Sequence, residues 1–139
     1  MTVTLSNPKA LPPPTGYSQI AEVTLSEKKR GKIVLIAGQV AHDAQGKLVG
    51  ENDFAAQVEQ VFKNLDAAVR AAGGTFKDVV KINNYCVASV PPEQIAAFRT
   101  VRDRYVDTAN PPTSTFIYVS RLVQPGWLFE TDAMAVIDG

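Results

Sequence analysis

The amino-acid sequence predicts an α+β fold, in which a single mixed β-sheet carries two helices packed on one of its faces. Two segments have the apolar spacing of amphipathic helices and five have the composition of strands, in the order β-β-α-β-α-β-β. One sheet with both helices on the same side is the simplest way to cover both helices. Several predicted strands are apolar on both faces. The sheet's second face therefore needs a partner, and we expect a homo-oligomer.

The first part of the chain predicts an extended arm followed by two strands. Residues 1–16 are rich in proline, and we expect them to lie on the surface of a single domain that spans residues 1–139. Ser18–Leu25 alternates in the manner of a strand. Lys32–Val40 contains the unbroken apolar run Ile33–Ala37, which is typical of a central strand buried on both faces.

The segment Asn52–Ala72 is the strongest predicted helix. Asn52 or Asp53 can cap its start, and Gly73-Gly74 supplies its end. Its apolar residues fall on one helical face: Phe54, Val58, Val61, Phe62, Leu65 and Val69.

A third strand is predicted at Val79–Ala88, and Pro91-Pro92 then precedes the second helix, which continues to about Thr108. The apolar positions of that helix are Ile95, Phe98, Val101 and Tyr105.

The stretch from Asn110 to Ile137 contains the last two predicted strands and two unexpected acids. In the final strand Glu130 and Asp132 share a face with Leu128, Met134 and Val136. Both faces of this strand are largely apolar, so we expect it in the middle of the sheet. Burial and a like-charged neighbour both raise a carboxyl pKa, which makes the two acids candidates for proton chemistry. The alternative, which the spacing alone favours, is that this face meets a partner subunit and the acids bind Arg or backbone N–H groups.

Composition narrows the class of protein. Fourteen basic and fourteen acidic residues cancel, which argues against a nucleic-acid partner. The sequence has no apolar run of membrane-spanning length and no secretory signal, so we expect a cytoplasmic protein without a membrane partner. With one cysteine and one histidine we predict no metal site, and the glycines form no phosphate-binding pattern, so we predict no cofactor.

Three further side chains are functional candidates by residue type. His42 lies in a predicted loop and is interpreted as a surface residue. Cys86 lies in mid-strand between apolar residues, where a buried structural thiol is the usual case. Arg102 can border the apolar face of the second helix, whereas Arg99 and Arg104 are interpreted as solvated.

The chain resembles the RidA/YjgF family of small imine and enamine deaminases over most of its length. The last strand, beginning at Glu130, is similar to the family's Glu-x-Glu-Ala-x-Ala. The other matching motifs are Gly16-Tyr17, Ala37-Gly38-Gln39, Ala71-Ala72-Gly73, Asp78-Val79-Val80-Lys81 and Arg121-Leu122. The resemblance implies a fold like that of chorismate mutase. It also implies a homotrimer whose sheets face inward, with a cleft for a small molecule between each pair of subunits.

The resemblance also implies roles for individual residues. The family's deaminases hydrolyse 2-imino acids to ammonia and a 2-keto acid. Glu130 matches the glutamate that positions water, Tyr17 matches a tyrosine that closes the cleft, and Gly38 falls in a substrate-binding motif. Arg102 stands where the family has an asparagine.

The family's carboxylate-binding arginine has no counterpart in this chain. Counting from Pro111-Pro112 places Thr113 at that position, and counting back from Arg121 places Ser114 there. Losing a bidentate clamp on a carboxylate costs about 2–5 kcal/mol, so we expect 2-imino acids to be poor substrates.

Three hypotheses for the function follow. The first is a hydrolase of another imine, enamine or related small metabolite with Glu130 as base. The second is a protein that binds a small metabolite without turnover. The third is an endoribonuclease or translation inhibitor, which the neutral net charge disfavours.

Overall fold

The computed structural model describes residues 2–15, 18–24 and 31–138. Within these ranges the chain forms six strands and two α-helices. The strands are β1 (Thr2–Ser6), β2 (Ile20–Thr24), β3 (Lys32–Gln39), β4 (Val79–Val87), β5 (Thr113–Val119) and β6 (Phe129–Ile137). The helices are α1 (Phe54–Ala71), between β3 and β4, and α2 (Ile95–Tyr105), between β4 and β5. Short 3₁₀ turns at Phe76–Asp78 and Pro92–Gln94 precede β4 and α2.

The strands form one mixed sheet in the order β1-β2-β3-β6-β4-β5. β4 and β5 pair in parallel, with α2 as the crossover between them, and the other neighbouring strands pair antiparallel. The last strand, β6, lies between β3 and β4. Its predicted position in the middle of the sheet is therefore confirmed, and its side chains are held in register from both sides.

The N-terminal segment differs from the prediction of a surface arm. Thr2–Ser6 forms an edge strand that pairs with the whole of β2, from Thr2 opposite Thr24 to Ser6 opposite Ile20. The physical reason is that the prolines begin only at Pro8. The residues before it alternate Thr, Val, Thr, Leu and Ser, which suits a strand that pairs on one side. Leu11, inside the proline-rich segment, is buried in the core.

Both helices pack on the same face of the sheet, as predicted. All six apolar residues predicted for the buried face of α1 are buried, and Phe98 and Val101 of α2 are buried as well. The Asp53 side chain caps α1 by accepting a hydrogen bond from the backbone N–H of Ala56 at 3.0 Å. Gly73 ends the helix at φ +89°, a conformation that favours glycine. No helix among the described residues is both long and apolar enough to cross a bilayer.

The second face of the sheet is not covered by any element of the described chain, and we call it the open face. Val34 and Ile36 of β3 are buried beneath the helices, but Leu35, between them, is 41% exposed on the open face. Val136 of β6 is 43% exposed on the same face. The prediction that β3 is buried on both faces is therefore wrong for the single chain, because both helices pack on the other side.

Candidate functional site

A cleft of about 450 Å³ opens where β3 ends and β6 begins, beside Glu130. Strand alternation places Glu130 on the open face, directly opposite Tyr85 of β4, whereas its neighbours Phe129 and Thr131 are buried beneath the helices. The walls of the cleft are mostly apolar and come from three parts of the chain: Ser18, Ala37, Gly38, Val40, Val123, Trp127 and Glu130. We call this cavity the Glu130 cleft.

Gly38 provides the space that the Glu130 side chain occupies. A Cβ placed on Gly38 would overlap a carboxylate oxygen of Glu130 and would lie 3.1 Å from Cδ and 3.3 Å from Cγ. The β3–β6 register is irregular at this point, between Ile36 and Gln39. The absence of a side chain at Gly38 therefore lets the carboxylate rest against the backbone of β3 at the wall of the cleft.

The Glu130 carboxylate has an unusual electrostatic environment. Burial, and secondarily the negative charge of Asp132, raises the pKa of Glu130 above the ordinary value of 4.5. Among the described residues, no side-chain or backbone donor forms a hydrogen bond to this carboxylate. A half-buried carboxyl with a raised pKa is a stronger base than an ordinary carboxylate and is suited to take up and return a proton.

Asp132 is bound differently, although it lies two residues along the same face. Its carboxylate accepts a hydrogen bond from Asn83 Nδ2 at 2.8 Å and another from the Tyr85 hydroxyl at 3.0 Å. This bond to Asp132, followed by burial, raises the pKa of Tyr85. Both oxygens of Asp132 are therefore engaged in cross-strand contacts, which leaves Glu130 as the acid available to a ligand.

Trp127, which was not among the predicted site residues, forms a wall of the cleft. Its indole Nε1 donates a hydrogen bond to Nε2 of His42 at 3.0 Å, and the two rings meet edge to face with their centroids 5.2 Å apart. His42 is therefore half-buried beside the cleft, and its interpretation as a plain surface residue is corrected. Burial, opposed in part by Asp43, lowers the pKa of His42. The available signal was that the chain's single tryptophan directly follows the Pro125-Gly126 turn.

Gln57, on the buried face of α1, fixes the backbone on both sides of Trp127. Its Nε2 donates to the carbonyl oxygen of Gly126 at 2.9 Å, and its Oε1 accepts from the backbone N–H of Leu128 at 2.9 Å. Nε2 also donates to the carbonyl oxygen of Gly50 at 3.0 Å. A fully buried glutamine in the middle of an apolar helix face is unusual, and here its amide satisfies loop groups that would otherwise be unpaired.

The other predicted site residues lie away from Glu130 within one chain. Arg102 and Ser114 line a second cavity of about 370 Å³, between α2 and the start of β5 on the helix side of the sheet. Arg102 pairs with Asp103 at 2.8 Å, and Ser114 Oγ accepts from Asn84 Nδ2 at 3.1 Å. Thr113 Oγ1 donates to the carbonyl oxygen of Val80 at 2.9 Å. The structure therefore brings Gly38 and Glu130 together and separates them from these three residues.

The remaining candidate residues are Tyr17 and Cys86. Tyr17 lies outside the described residues. Cys86 is buried, and burial raises its pKa to about 11, which favours a structural thiol. The described part of the chain contains no group of three or more His, Cys, Asp or Glu side chains that could hold a metal ion.

The sequence of this chain is similar to those of one known protein family. A family model described as Endoribonuclease L-PSP matches residues 8–137. Protein DfrA of Myxococcus xanthus is 33% identical over 129 residues, which cover 93% of this chain and 88% of that protein. The RutC family protein YjgH of Escherichia coli is 31% identical over 109 residues, covering 78% of this chain and 79% of that protein.

Solved structures agree with this assignment. RidA from the Antarctic bacterium Psychrobacter sp. superposes with a TM-score of 0.78 at 27% sequence identity, and the match covers 96% of this chain and 99% of that one. The mixed sheet with two helices on one face is therefore the fold of known RidA structures. On sequence and on structure, the chain belongs to the RidA/YjgF family.

Proposed function

We propose that this protein hydrolyses the C–N bond of a small imine or enamine in the Glu130 cleft, with Glu130 as the general base. One observation carries the proposal. The Glu130 carboxylate lies at the wall of a cleft, against the bare backbone of Gly38, in surroundings that raise its pKa. Asp132, the other acid of this face, accepts hydrogen bonds from Asn83 and Tyr85 and so links β6 to β4.

The chemistry needs only water and one group that can accept and return a proton. The imine enters in its protonated form, and Glu130 takes a proton from water as the water oxygen bonds to the imine carbon and the C=N bond becomes single. Glu130 then gives this proton to the amine nitrogen. The C–N bond breaks as the hydroxyl oxygen forms the C=O bond, and the hydroxyl proton passes to Glu130 and on to the solvent. The products are a carbonyl compound and ammonia, so the sum is one imine plus one water. The raised pKa of the Glu130 carboxyl favours its action as a base toward water.

We further propose that the usual 2-imino acids are poor substrates. Thr113 and Ser114, the two residues that can correspond to the family's arginine, carry no charge and are bound to Val80 and Asn84 respectively. A hydroxyl can donate one hydrogen bond to a carboxylate, but it does not neutralise the charge. Removing the carboxylate of a 2-imino acid from water and placing it beside the Glu130 carboxylate would therefore be unfavourable.

The proposed assembly is a homotrimer in which the open faces meet and each cleft is completed by a neighbouring subunit. The exposed apolar side chains of the open face support it, because monomers seldom leave a contiguous apolar surface in water.

The name of the matching family model raises endoribonuclease activity as a second candidate. The net charge of zero argues against it, since binding to RNA depends on neutralising phosphates with Lys and Arg. The described lining of the Glu130 cleft also offers a carboxylate where a phosphate would need a cation. Binding of a small metabolite without turnover is the outcome to expect if Glu130 does not act as a base.

A matched pair of imines tests the proposal. Flavin-dependent oxidation of benzylamine yields phenylmethanimine, and oxidation of phenylglycine yields the same imine bearing a carboxylate. We expect this protein to accelerate benzaldehyde formation from the first imine much more than keto-acid formation from the second. No acceleration with either imine would contradict the hydrolase proposal. Preferred turnover of the imino acid would contradict the proposed substrate range.

A further inference from the structure

We infer that the Glu130 cleft selects ligands in which a positively charged planar nitrogen group is attached to a flat or apolar arm, and that Trp127 and Glu130 together set this preference. The inference rests on the proposed function, because it concerns the same cleft, and it names the ligand class. A protonated imine, an amidinium and a guanidinium share the required chemistry.

The charges that line the cleft give the first argument. Glu130 is the one ionisable side chain among the described lining residues, and the others are Ser18, Gly38, Trp127 and three small aliphatic residues. A half-buried carboxylate without a described hydrogen-bond donor gains most from a ligand that brings both a positive charge and N–H donors. An anionic ligand would instead be desolvated next to a like charge.

The way in which Trp127 is held gives the second argument. The only polar hydrogen of its side chain is donated to His42, in the 3.0 Å bond from Nε1 to Nε2. The part of Trp127 that remains for a ligand is therefore the ring surface. A ring surface attracts cations and flat groups, and tryptophan does so most strongly among the aromatic residues. Trp127 and Glu130 thus favour the same charge on the ligand.

The rigidity of this wall gives the third argument. Gln57 binds the backbone of Gly126 and of Leu128, on either side of Trp127, while His42 holds the indole itself. Asn64 in turn holds the His42 backbone by donating to its carbonyl oxygen at 2.8 Å. A wall fixed at both its backbone and its ring loses little freedom when a ligand binds, so its contribution to affinity is retained.

Three probes of equal shape separate the ligand classes. Benzamidine is a planar cation, benzamide is its neutral counterpart and benzoate is the anion. Isothermal titration calorimetry with the full-length protein should give a Kd for benzamidine roughly tenfold or more below that for benzoate, with benzamide between them. Emission from the chain's single tryptophan, excited near 295 nm, should change as benzamidine binds.

Variants then assign the preference to the two residues. Glu130→Gln should bring the affinities for benzamidine and benzamide close together. Trp127→Leu should weaken benzamidine binding, and Trp127→Phe should restore part of it. His42 is a positioning residue, so His42→Leu should weaken binding and His42→Gln, which keeps an acceptor for the indole N–H, should recover it. Unchanged melting temperatures would show that these variants are folded.

The outcomes separate this inference from the hydrolase proposal. Benzoate binding as tightly as benzamidine, no benzamidine binding at millimolar concentration, or an unchanged Kd in Glu130→Gln would overturn the inference. Benzamidine binding as expected without acceleration of imine hydrolysis would leave the inference standing and remove the hydrolase proposal. Turnover of phenylmethanimine without benzamidine binding would overturn the inference and leave the hydrolase proposal standing.

Discussion

The side chain of Glu130 occupies the space that a side chain at Gly38 would need. A Cβ on Gly38 would lie 3.1 Å from the Glu130 carboxyl carbon, so the two positions on β3 and β6 are sterically linked. This contact places the carboxylate at the wall of the cleft, and the predictions for Glu130 start from it.

Gly38→Ala should displace the carboxylate and lower activity while leaving the protein folded. The clash falls on the far end of a flexible side chain, so the free energy of unfolding should fall by only about 1 kcal/mol. Gly31→Ala is the control, because the nearest atom to its new Cβ is 3.8 Å away. Steady-state kinetics and urea unfolding of both variants provide the measurements. Full activity in Gly38→Ala would show that the position of the carboxylate does not matter.

Glu130→Gln should change how stability depends on pH. Because the pKa of Glu130 is raised in the folded protein, the folded state binds this proton more tightly than the unfolded chain does. The stability that the proton provides is full below the ordinary value of 4.5 and is lost as the pH rises through the folded pKa. Glu130→Gln has no ionisable group at this position, so it does not lose stability in this way as the pH rises. Its melting temperature relative to the wild type should therefore rise as the pH increases above 4.5, as scanning calorimetry can measure.

If the melting temperature of Glu130→Gln relative to the wild type instead fell as the pH rose, the folded protein would stabilise Glu130 in its ionised form. That result would indicate an ion pair to a cation, in agreement with the alternative that this acid serves a subunit interface.

Asp132→Asn should shift the acidic limb of the pH–rate profile to lower pH. The charge of Asp132 is a secondary cause of the raised Glu130 pKa, so removing it lowers that pKa. Asparagine keeps an oxygen for Asn83 or Tyr85, and the stability cost should stay near 1 kcal/mol. Asp138→Asn, at the exposed end of the chain, is the control. An acidic limb that stays in place would show that another group controls it.

Gln57→Ala should loosen the wall of the cleft. It removes hydrogen bonds to Gly50, Gly126 and Leu128 and leaves a buried cavity, which together should cost about 2–4 kcal/mol of stability. The emission of Trp127 should shift to the red because its backbone is no longer held. Lys63→Ala, at an exposed position of the same helix, is the control. Equal effects of the two substitutions would contradict the role given to Gln57.

The fold could be predicted from the sequence because its elements carry strong periodic signals. The apolar spacing from Phe54 to Val69 defines α1, and the alternation from Phe129 to Ile137 separates a face packed under the helices from one that carries Glu130. The edge strand Thr2–Ser6 was not predicted. Its alternation covers only five residues, and the prolines that follow it dominate the composition of residues 1–16.

The site was predicted only in part, because its contacts join residues far apart in the sequence. Glu130 stood out since an acid on an apolar strand face is locally unusual. Trp127 and His42 are separated by 85 positions, and Gln57 meets Leu128 across 71. The hydrophobic periodicity of a sequence does not indicate which distant residues will be in contact. The separation of Arg102 from Glu130 within one chain likewise follows from the helices packing on a single face.

The open face should be an interface in solution. Leu35→Asp or Val136→Asp would place a charge on it and should shift the protein from trimer toward monomer, because each side chain is exposed in the single chain and would be buried in the proposed trimer. Ala55→Asp, on the exposed side of the first turn of α1, is the control. Sedimentation equilibrium at micromolar concentration measures the mass. A wild-type monomer, or variants that remain trimeric, would contradict the proposed assembly.

The most direct test of the account compares wild-type protein and Glu130→Gln in the hydrolysis of phenylmethanimine, with benzaldehyde as the product followed. General base catalysis typically contributes about 10²–10⁴-fold. We therefore expect kcat/KM to fall by at least about a hundredfold in the variant, with its fold and assembly unchanged. A variant that hydrolyses the imine as fast as the wild type would contradict the claim that Glu130 carries the chemistry of this cleft.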